Sequence, residues 1–542
     1  MYLFDNPVLQ RELLVNLRMA RAFVLLFFYL GLLAAVVFLA WPREQQLDLT
    51  TNPEAARRLV KLVFLGQYLL ASLMAPSFAA GAISGEKERK SYEMLLASPL
   101  RPGAIVLGKL LASLCHLLLL VFASLPIVML CLPLGGVSLY EALAAYLGLI
   151  LSVVTFGMIS LATSSYFRRT SAALVVAYLI ILPLALLAVV SWEALESSGQ
   201  RRILLTVTVL PAACAVLCVW LFRDTSARLL HPPDVGSEGK EVVDLEVEAK
   251  QAVGLVIQSD QFPDWLFAPR KRSDLLADGA NPVFDKEMRS EIFSQGTLML
   301  RVVIQVSMVL AIPLMAVLLY AFPYYAPWYI SYVILFNMLV GPVFSAGSVT
   351  SERERETLDL LLTTTLSPGQ ILWPKLLSGL RVSSVLTMFL MWPVALAVAM
   401  VSDYWNNLPI VAAFLAVVLT VCFTTVTMAL FCSVVFRQTS ISLMSTYLAI
   451  MVLFTLPLAV VFFSRAFFFD SPITPVLGQA AFTSPFAAVF NLPINMNLSR
   501  APAVAPDWWF FASFMGFYAL FDGALLATIS RLFAVRWRMD AS

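Results

Sequence analysis

The sequence predicts an all-α polytopic membrane protein: about twelve transmembrane helices as two parallel six-helix repeats, with cytoplasmic interfacial and coupling helices. Three observations lead there. Of 542 residues, 60% are hydrophobic and 13% charged, against roughly 25% charged in soluble domains. Uncharged stretches of the roughly 20 residues that a helix needs to cross a bilayer recur along the whole chain. One charged segment occurs twice, as Glu86-Lys-Glu-Arg-Lys-Ser-Tyr-Glu-Met-Leu-Leu and as Glu352-Arg-Glu-Arg-Glu-Thr-Leu-Asp-Leu-Leu-Leu.

Each repeat opens on the same helix start. Asn6 and Asn281 stand at N-cap positions and Pro7 and Pro282 at the first helical position. Leu9, Leu13 and Leu17 share one face, as do Phe284, Met288 and Ile292, which describes interfacial helices resting on the cytoplasmic leaflet. Spans follow near 22–42, 62–83, 110–135, 142–167, 171–192 and 203–222, and again near 302–325, 327–351, 382–402, 408–436, 440–464 and 509–530. The first is longer than the apolar region of a signal peptide and follows a capped helix, so it reads as a retained span.

Lysine and arginine positions set the orientation. Arg11, Arg18, Arg21, Lys87, Arg89, Lys90, Arg101, Arg168, Arg169, Arg223 and Arg228 fall on one side, joined from the second half by Lys286, Arg289, Arg353, Arg355, Arg437, Arg531, Arg536 and Arg538. That side is expected to be cytoplasmic, with both termini on it. The opposite loops 133–141, 322–327 and 403–408 carry neither lysine nor arginine, although Arg43, Arg57, Arg58, Arg201 and Arg202 run against the trend.

The repeat reaches well beyond the charged segment. Asn6-Pro7-Val8 returns as Asn281-Pro282-Val283 (281 − 6 = 275), the charged segment returns at 352 − 86 = 266, and Phe167-Arg-Arg-Thr-Ser returns as Phe436-Arg-Gln-Thr-Ser at 436 − 167 = 269. An even number of spans per copy makes the copies parallel. The expected domains are a first six-span half over 1–222, a cytoplasmic linker over 223–280 and a second six-span half over 281–542. The linker is polar, with Glu238, Glu241, Asp244, Glu246 and Glu248 ahead of Arg270-Lys-Arg. Loop 465–508 has no counterpart of its length in the first copy, and its apolar stretch Ala480–Phe490 favours packing on the external mouth.

The charged segments are the candidate site. Glu86, Glu88, Arg89 and Glu93 match Glu352, Glu354, Arg355 and Asp359, while Leu95 and Leu96 match Leu361 and Leu362. A charged first turn and an apolar second turn describe a short amphipathic helix across the ends of membrane helices. In the second copy Ser351 and Glu354 have the spacing of a capping box. A stiff helix of this kind carries motion from its exposed end to the spans. An ordinary solvated loop with salt bridges worth about 0–1 kcal/mol each explains the duplicated acidic positions less well.

The pattern Glu-x-Glu-Arg-x-[Ser/Thr]-x-[Glu/Asp]-x-Leu-Leu, then Leu-x-Pro-Gly-x-Ile and Lys-Leu-Leu, resembles the coupling segment of ABC-2 type ABC transporter permeases. The resemblance covers nearly the whole chain as two fused six-span permease units. It implies a permease component driven by separately encoded, soluble ATP-binding cassette ATPase subunits that dock on the two coupling helices, with export more frequent than import. ATP and Mg would be bound by the partner, leaving this chain without a cofactor, and the setting would be a multi-pass position in the bacterial inner (plasma) membrane. The sequence departs from the family at Lys90-Ser91 and Glu356-Thr357, where Gly-Thr is common, and at Thr365, where the first copy has Pro99.

Other chemistry finds little support. Net charge is +2, without the clustered basic face expected for a nucleic-acid partner. Gly103 to Lys109 fits part of a phosphate-binding loop, but Leu110 stands where Ser or Thr must hold magnesium, and Pro374 replaces the second glycine in the other copy. The six cysteines lie in apolar runs without metal-site spacing, so neither a metal site nor a catalytic centre is expected. Asp522, about 20 Å of helix beyond Trp508, is the one acidic residue deep in a span. It either meets a substrate or proton, or accepts hydrogen bonds from Ser, Thr or Tyr on neighbouring spans. Two alternatives to an ABC permease remain open at this point: a secondary transporter using an ion gradient through Asp522, and a non-transporting membrane scaffold actuated by an ATPase.

Overall fold

The computed structural model describes residues 6–17, 30–31, 53–88, 91–98, 100–131, 138–167, 170–194, 203–230, 281–289, 312, 319–320, 325–354, 356–437, 439–467, 473–494 and 506–540. Regular structure among them is helical, with no strand. The chain divides into two compact units, Met1–Glu241 and Val242–Ser542.

The first unit begins with α1 (Pro7–Leu17), then the long α2 (Pro53–Ala79), which passes through one turn residue into α3 (Gly81–Glu88). After the short α4 (Tyr92–Leu96) come α5 (Pro102–Cys131), α6 (Leu139–Tyr166), α7 (Thr170–Ala194) and α8 (Leu210–Leu230). The second unit repeats the order with α9 (Pro282–Arg289), α10 (Ala326–Ser345), α11 (Thr350–Glu354), α12 (Leu358–Leu362) and α13 (Pro368–Met400). It continues through α14 (Ser402–Asn406), α15 (Leu408–Val435), α16 (Thr439–Ile450) and α17 (Leu456–Phe467). Two short helices, α18 (Ile473–Ala480) and α19 (Pro485–Phe490), precede the final α20 (Trp508–Asp540).

Local chemistry starts these helices. Asn6 Oδ1 accepts the amide of Val8 at 3.1 Å and Asn281 Oδ1 that of Val283 at 3.0 Å, the N-caps expected ahead of the two prolines. Reciprocal capping boxes open α6 (Ser138 with Glu141) and α13 (Ser367 with Gln370).

Nine helices among the described residues are long and apolar enough to cross a bilayer, or ten if the bent α5 counts as one. The expected spans 22–42 and 302–325 lie almost entirely outside the described residues, as do residues 231–280 of the expected linker. Three boundaries differ from the expectation because charge-free length was used to place them. α5 and α13 begin at Pro102 and Pro368 and carry Lys109 and Lys375 inside the helix, and α8 continues beyond Phe222 to Leu230.

Packing repeats as well. α2 lies along α6 in the first unit, and α10 along α15 in the second. Buried Ala71, Ala75 and Ala79 line one face of α2, small residues that let helices approach where the surrounding lipid offers no hydrophobic drive. Tyr178 donates to the Leu73 carbonyl at 2.8 Å, and its counterpart Tyr447 donates to Leu339 at 2.6 Å.

The interiors differ in polarity. In the second unit Asn337 donates to Thr387 at 2.7 Å and accepts from Ser383 at 2.9 Å, and Cys422 reaches Ser383 at 3.2 Å. At the repeat offsets the first unit has buried Ala71, Leu117, Val121 and Val153. Residues of loop 465–508 are folded within the second unit: Trp328 meets Phe490 edge-on, Phe482 meets Phe517, and Tyr518 donates to the Thr483 carbonyl.

Candidate coupling site

The repeated charged segment is not one stiff helix. Its first half is the end of the preceding membrane helix, and its second half is a separate short helix, α4 or α12. The break is a helix-ending turn. The Thr357 amide bonds back to the Glu352 carbonyl at 2.9 Å and the Glu356 amide to Arg353 at 3.1 Å, the pair of bonds that closes a helix on a left-handed residue. Glu356 supplies that residue with φ 58°. In the first unit the Ser91 amide makes the equivalent bond to Glu86 at 3.0 Å.

The departure from Gly at Glu356 therefore leaves the turn intact at a conformational cost, because a side chain crowds the following carbonyl at positive φ. Glu356→Gly is expected to raise the stability of the second unit by about 1 kcal/mol, read as a higher melting temperature in detergent. The capping box read at Ser351 and Glu354 is not formed. α11 is already running at Thr350, the Ser351 amide bonds to Gly347, and Glu354 turns to another helix.

Three side-chain ties hold each segment to its own unit. Ser164 Oγ accepts the amides of Ile83 and Ser84 at 3.0 and 2.9 Å, and Ser433 Oγ accepts those of Val349 and Thr350 at 2.9 and 3.1 Å. These amides open α3 and α11, where no intrahelical acceptor exists. Lys87 donates to the Ser165 and Phe167 carbonyls, and Arg353 donates to Phe436 at 2.8 Å, cations placed at the negative ends of α6 and α15. Glu88 accepts the Thr170 amide at 2.7 Å and its hydroxyl at 3.1 Å; Glu354 accepts the Thr439 amide at 2.7 Å and its hydroxyl at 2.8 Å. Both carboxylates thus cap the positive start of a membrane helix from outside the chain segment that begins it.

The fourth tie is a buried lysine. Lys109 Nζ lies 2.8 Å from the Ala82 carbonyl, 2.8 Å from Glu86 Oε1 and 3.6 Å from Glu12 Oε1. Lys375 Nζ lies 2.8 Å from the Ser348 carbonyl, 2.7 Å from Glu287 Oε1 and 3.8 Å from Glu352 Oε1. Both lysine side chains are 2% exposed. Glu352 also pairs with Lys286 at 2.7 Å and accepts from the Thr357 hydroxyl.

The second short helix presents a small outward face. Tyr92 and Leu358 are buried, whereas Met94 is 79% and Leu360 70% exposed, flanked by exposed Glu93 and Asp359. Burial, with Glu86 nearby, holds the Tyr92 phenol above its usual pKa, so it stays neutral beneath Lys87, whose ammonium sits 5.5 Å from the ring centre. Of the eight residues singled out in the sequence, Glu86, Glu88, Glu352 and Glu354 face their own unit, and Glu93 and Asp359 face outward. Arg89 and Arg355 lie outside the described residues.

Asp522 is far from this site in the sequence and belongs to α20. It is buried and accepts from Thr424 at 2.8 Å and Thr427 at 3.2 Å, both on α15. The Thr424 hydroxyl is committed to one oxygen, while the Thr427 hydroxyl shares its single proton between the other and the Phe423 and Thr424 carbonyls, the arrangement of an interhelical fastening.

Sequence reasoning missed Lys109, Lys375, Glu12 and Glu287 as members of the site. The signal was present: the two lysines match at the 266 offset of the charged segment, and the two glutamates match at the offset of the opening Asn-Pro pair.

A search of curated proteins returned no match. The family model described as ABC-2 family transporter protein matches residues 8–227 and 234–527. With both units matched and the charged segment tied down in corresponding ways in each, the chain belongs to the ABC-2 transporter family and consists of two permease units fused in one membrane protein.

Proposed function

We propose that this chain forms the translocation path of an ATP-driven exporter, with separately encoded ATPase subunits docking on α4 and α12. One observation carries the reading: in each unit a short helix, seated by buried Tyr92 or Leu358, exposes an apolar residue beside an acidic one, Met94 beside Glu93 and Leu360 beside Asp359, and follows a segment that is itself fastened to a neighbouring membrane helix through Glu88 or Glu354. The apolar tip suits a recess on a soluble partner, and the carboxylates suit a basic rim. ATP and Mg reside in that partner, whose movement pushes on the two short helices and switches the path between inward and outward openings. The coupling ends are cytoplasmic, in agreement with the lysine and arginine bias, with both termini on that side of a bacterial inner membrane. The two halves each contribute six spans, joined by a cytoplasmic linker that starts after Leu230. Co-purification of the membrane-extracted chain with an ATPase subunit tests the reading, and a chain that transports without one would end it.

The geometry at Asp522 favours the ATP-driven reading over ion-gradient transport. Asp522→Asn keeps an acceptor for one threonine, and interhelical hydrogen bonds in membranes average about 0.6 kcal/mol, so the variant should fold and transport normally. Loss of proton-gradient-driven uptake in vesicles containing only this chain would instead make Asp522 the coupling group.

A further inference from the structure

We infer that Lys109 and Lys375 are positioning residues that fasten the interfacial helix, the coupling segment and a membrane helix into one body within each unit. The inference rests on the docking reading above and adds how a push on the short helix travels further. An ammonium has three tetrahedral donors and no acceptor. At Lys109 its surroundings offer three acceptors from two chain segments: Glu12 from α1, and Glu86 with the Ala82 carbonyl from α3. Lys375 repeats the set with Glu287, Glu352 and the Ser348 carbonyl. A lysine buried to this degree needs such partners, so helix α5 or α13 cannot move away from either neighbour without stranding a charge.

The two units hold the lysine differently. Lys109 is closer to the coupling segment, with Glu86 at 2.8 Å and Glu12 at 3.6 Å. Lys375 is closer to the interfacial helix, with Glu287 at 2.7 Å and Glu352 at 3.8 Å. Lys286 explains the second arrangement, since it occupies the same Glu352 oxygen at 2.7 Å. Close packing adds a geometric reason for the junction at the first unit. A Cβ on Gly108 would stand 2.9 Å from Asn6 Nδ2 and 3.3 Å from the Leu9 amide nitrogen, and Asn6 Nδ2 itself donates to the Ala104 carbonyl at 2.6 Å. The interfacial helix therefore lies directly on the turn that carries the lysine.

The test uses the full chain in lipid nanodiscs, its own cysteines replaced, with spin labels at Leu14→Cys on α1 and Ala97→Cys at the C-cap of α4, both exposed sites outside the proposed docking tip. The unaltered junction should give one narrow distance. Glu12→Gln leaves the Lys109–Glu86 pair in place, so the protein folds, and the distribution should broaden about twofold as α1 gains local freedom; Lys109→Met should broaden it further. A second experiment adds the ATPase subunits with ATP and vanadate. The native pair should keep its distance because both helices move together, whereas Glu12→Gln should show a second distance. Distributions as narrow as native in both variants, without and with trapped nucleotide, would overturn the inference. The measurement on the chain alone is independent of docking, so a failure of the ATPase to bind would be recognised separately.

Discussion

Lys375→Met and Lys109→Met should each destabilise their own unit by about 3–5 kcal/mol, the range for breaking one partner out of a buried ion pair. The methionine fills much the same volume, so packing loss contributes little. What remains are carboxylates and a carbonyl that have each lost a buried cationic donor, and the cost of leaving such groups unsatisfied exceeds the worth of the bonds themselves. The effect should be unequal. In the second unit Lys286 still neutralises Glu352 when Lys375 is lost. In the first unit Glu86 Oε2 is buried with no hydrogen-bond partner among the described residues, so losing Lys109 also removes the donor on Oε1. Lys109→Met should therefore be the more damaging. Thermal unfolding of the two variants in one detergent measures the difference.

Met94→Arg combined with Leu360→Arg should lower recovery of the ATPase at least tenfold and abolish ATP-dependent transport. Central apolar contacts at an interface are worth about 2 kcal/mol or more when lost, and here a charge would also be pressed into the recess each residue fills. Because Met94 and Leu360 are largely exposed, folding of the chain should be unchanged. Reversing Glu86, Glu88, Glu352 and Glu354 gives a less clear result. Those groups hold lysines and helix starts within their own units, so the loss of docking could not be separated from loss of the site that displays it. Charge reversal at Glu93 and Asp359 keeps the internal ties and tests the rim alone.

Much of this architecture is legible in the sequence. Asn6-Pro7 and Asn281-Pro282 announce helix starts through chemistry confined to three residues, and the caps are formed as expected. The repeat is visible because charged residues inside a hydrophobic chain are few enough for their order to be informative. Three things were hidden for physical reasons. The segment beginning at Glu352 reads as one amphipathic helix because periodicity continues through the break, while the left-handed turn at Glu356 lacks the glycine that would have announced it. Glu88 and Glu354 read as surface charges, but their partners Thr170 and Thr439 are more than eighty residues away, a pairing that only folding creates. Lys109 and Lys375 fall outside the expected spans because an apolar run is judged by its uncharged length, which starts those spans at 110 and 382, after the lysines, whereas helices α5 and α13 run around them.

The difference in polarity between the two interiors was hidden in another way. Asn337, Ser383, Thr387 and Cys422 are single polar residues on separate spans, each tolerable alone and meaningful only once α10, α13 and α15 bring them together.

In the proposed arrangement the ATPase grips the membrane protein at α4 and α12. Met94→Cys and Leu360→Cys chains, assembled with the ATPase and treated with a short thiol-to-amine cross-linker, measure it directly. A covalent product between each chain and the ATPase, absent for a cysteine placed at exposed Tyr140 on α6, is the predicted result. Equal cross-linking at Tyr140, or none at either short helix in a complex that still hydrolyses ATP and transports, would contradict it.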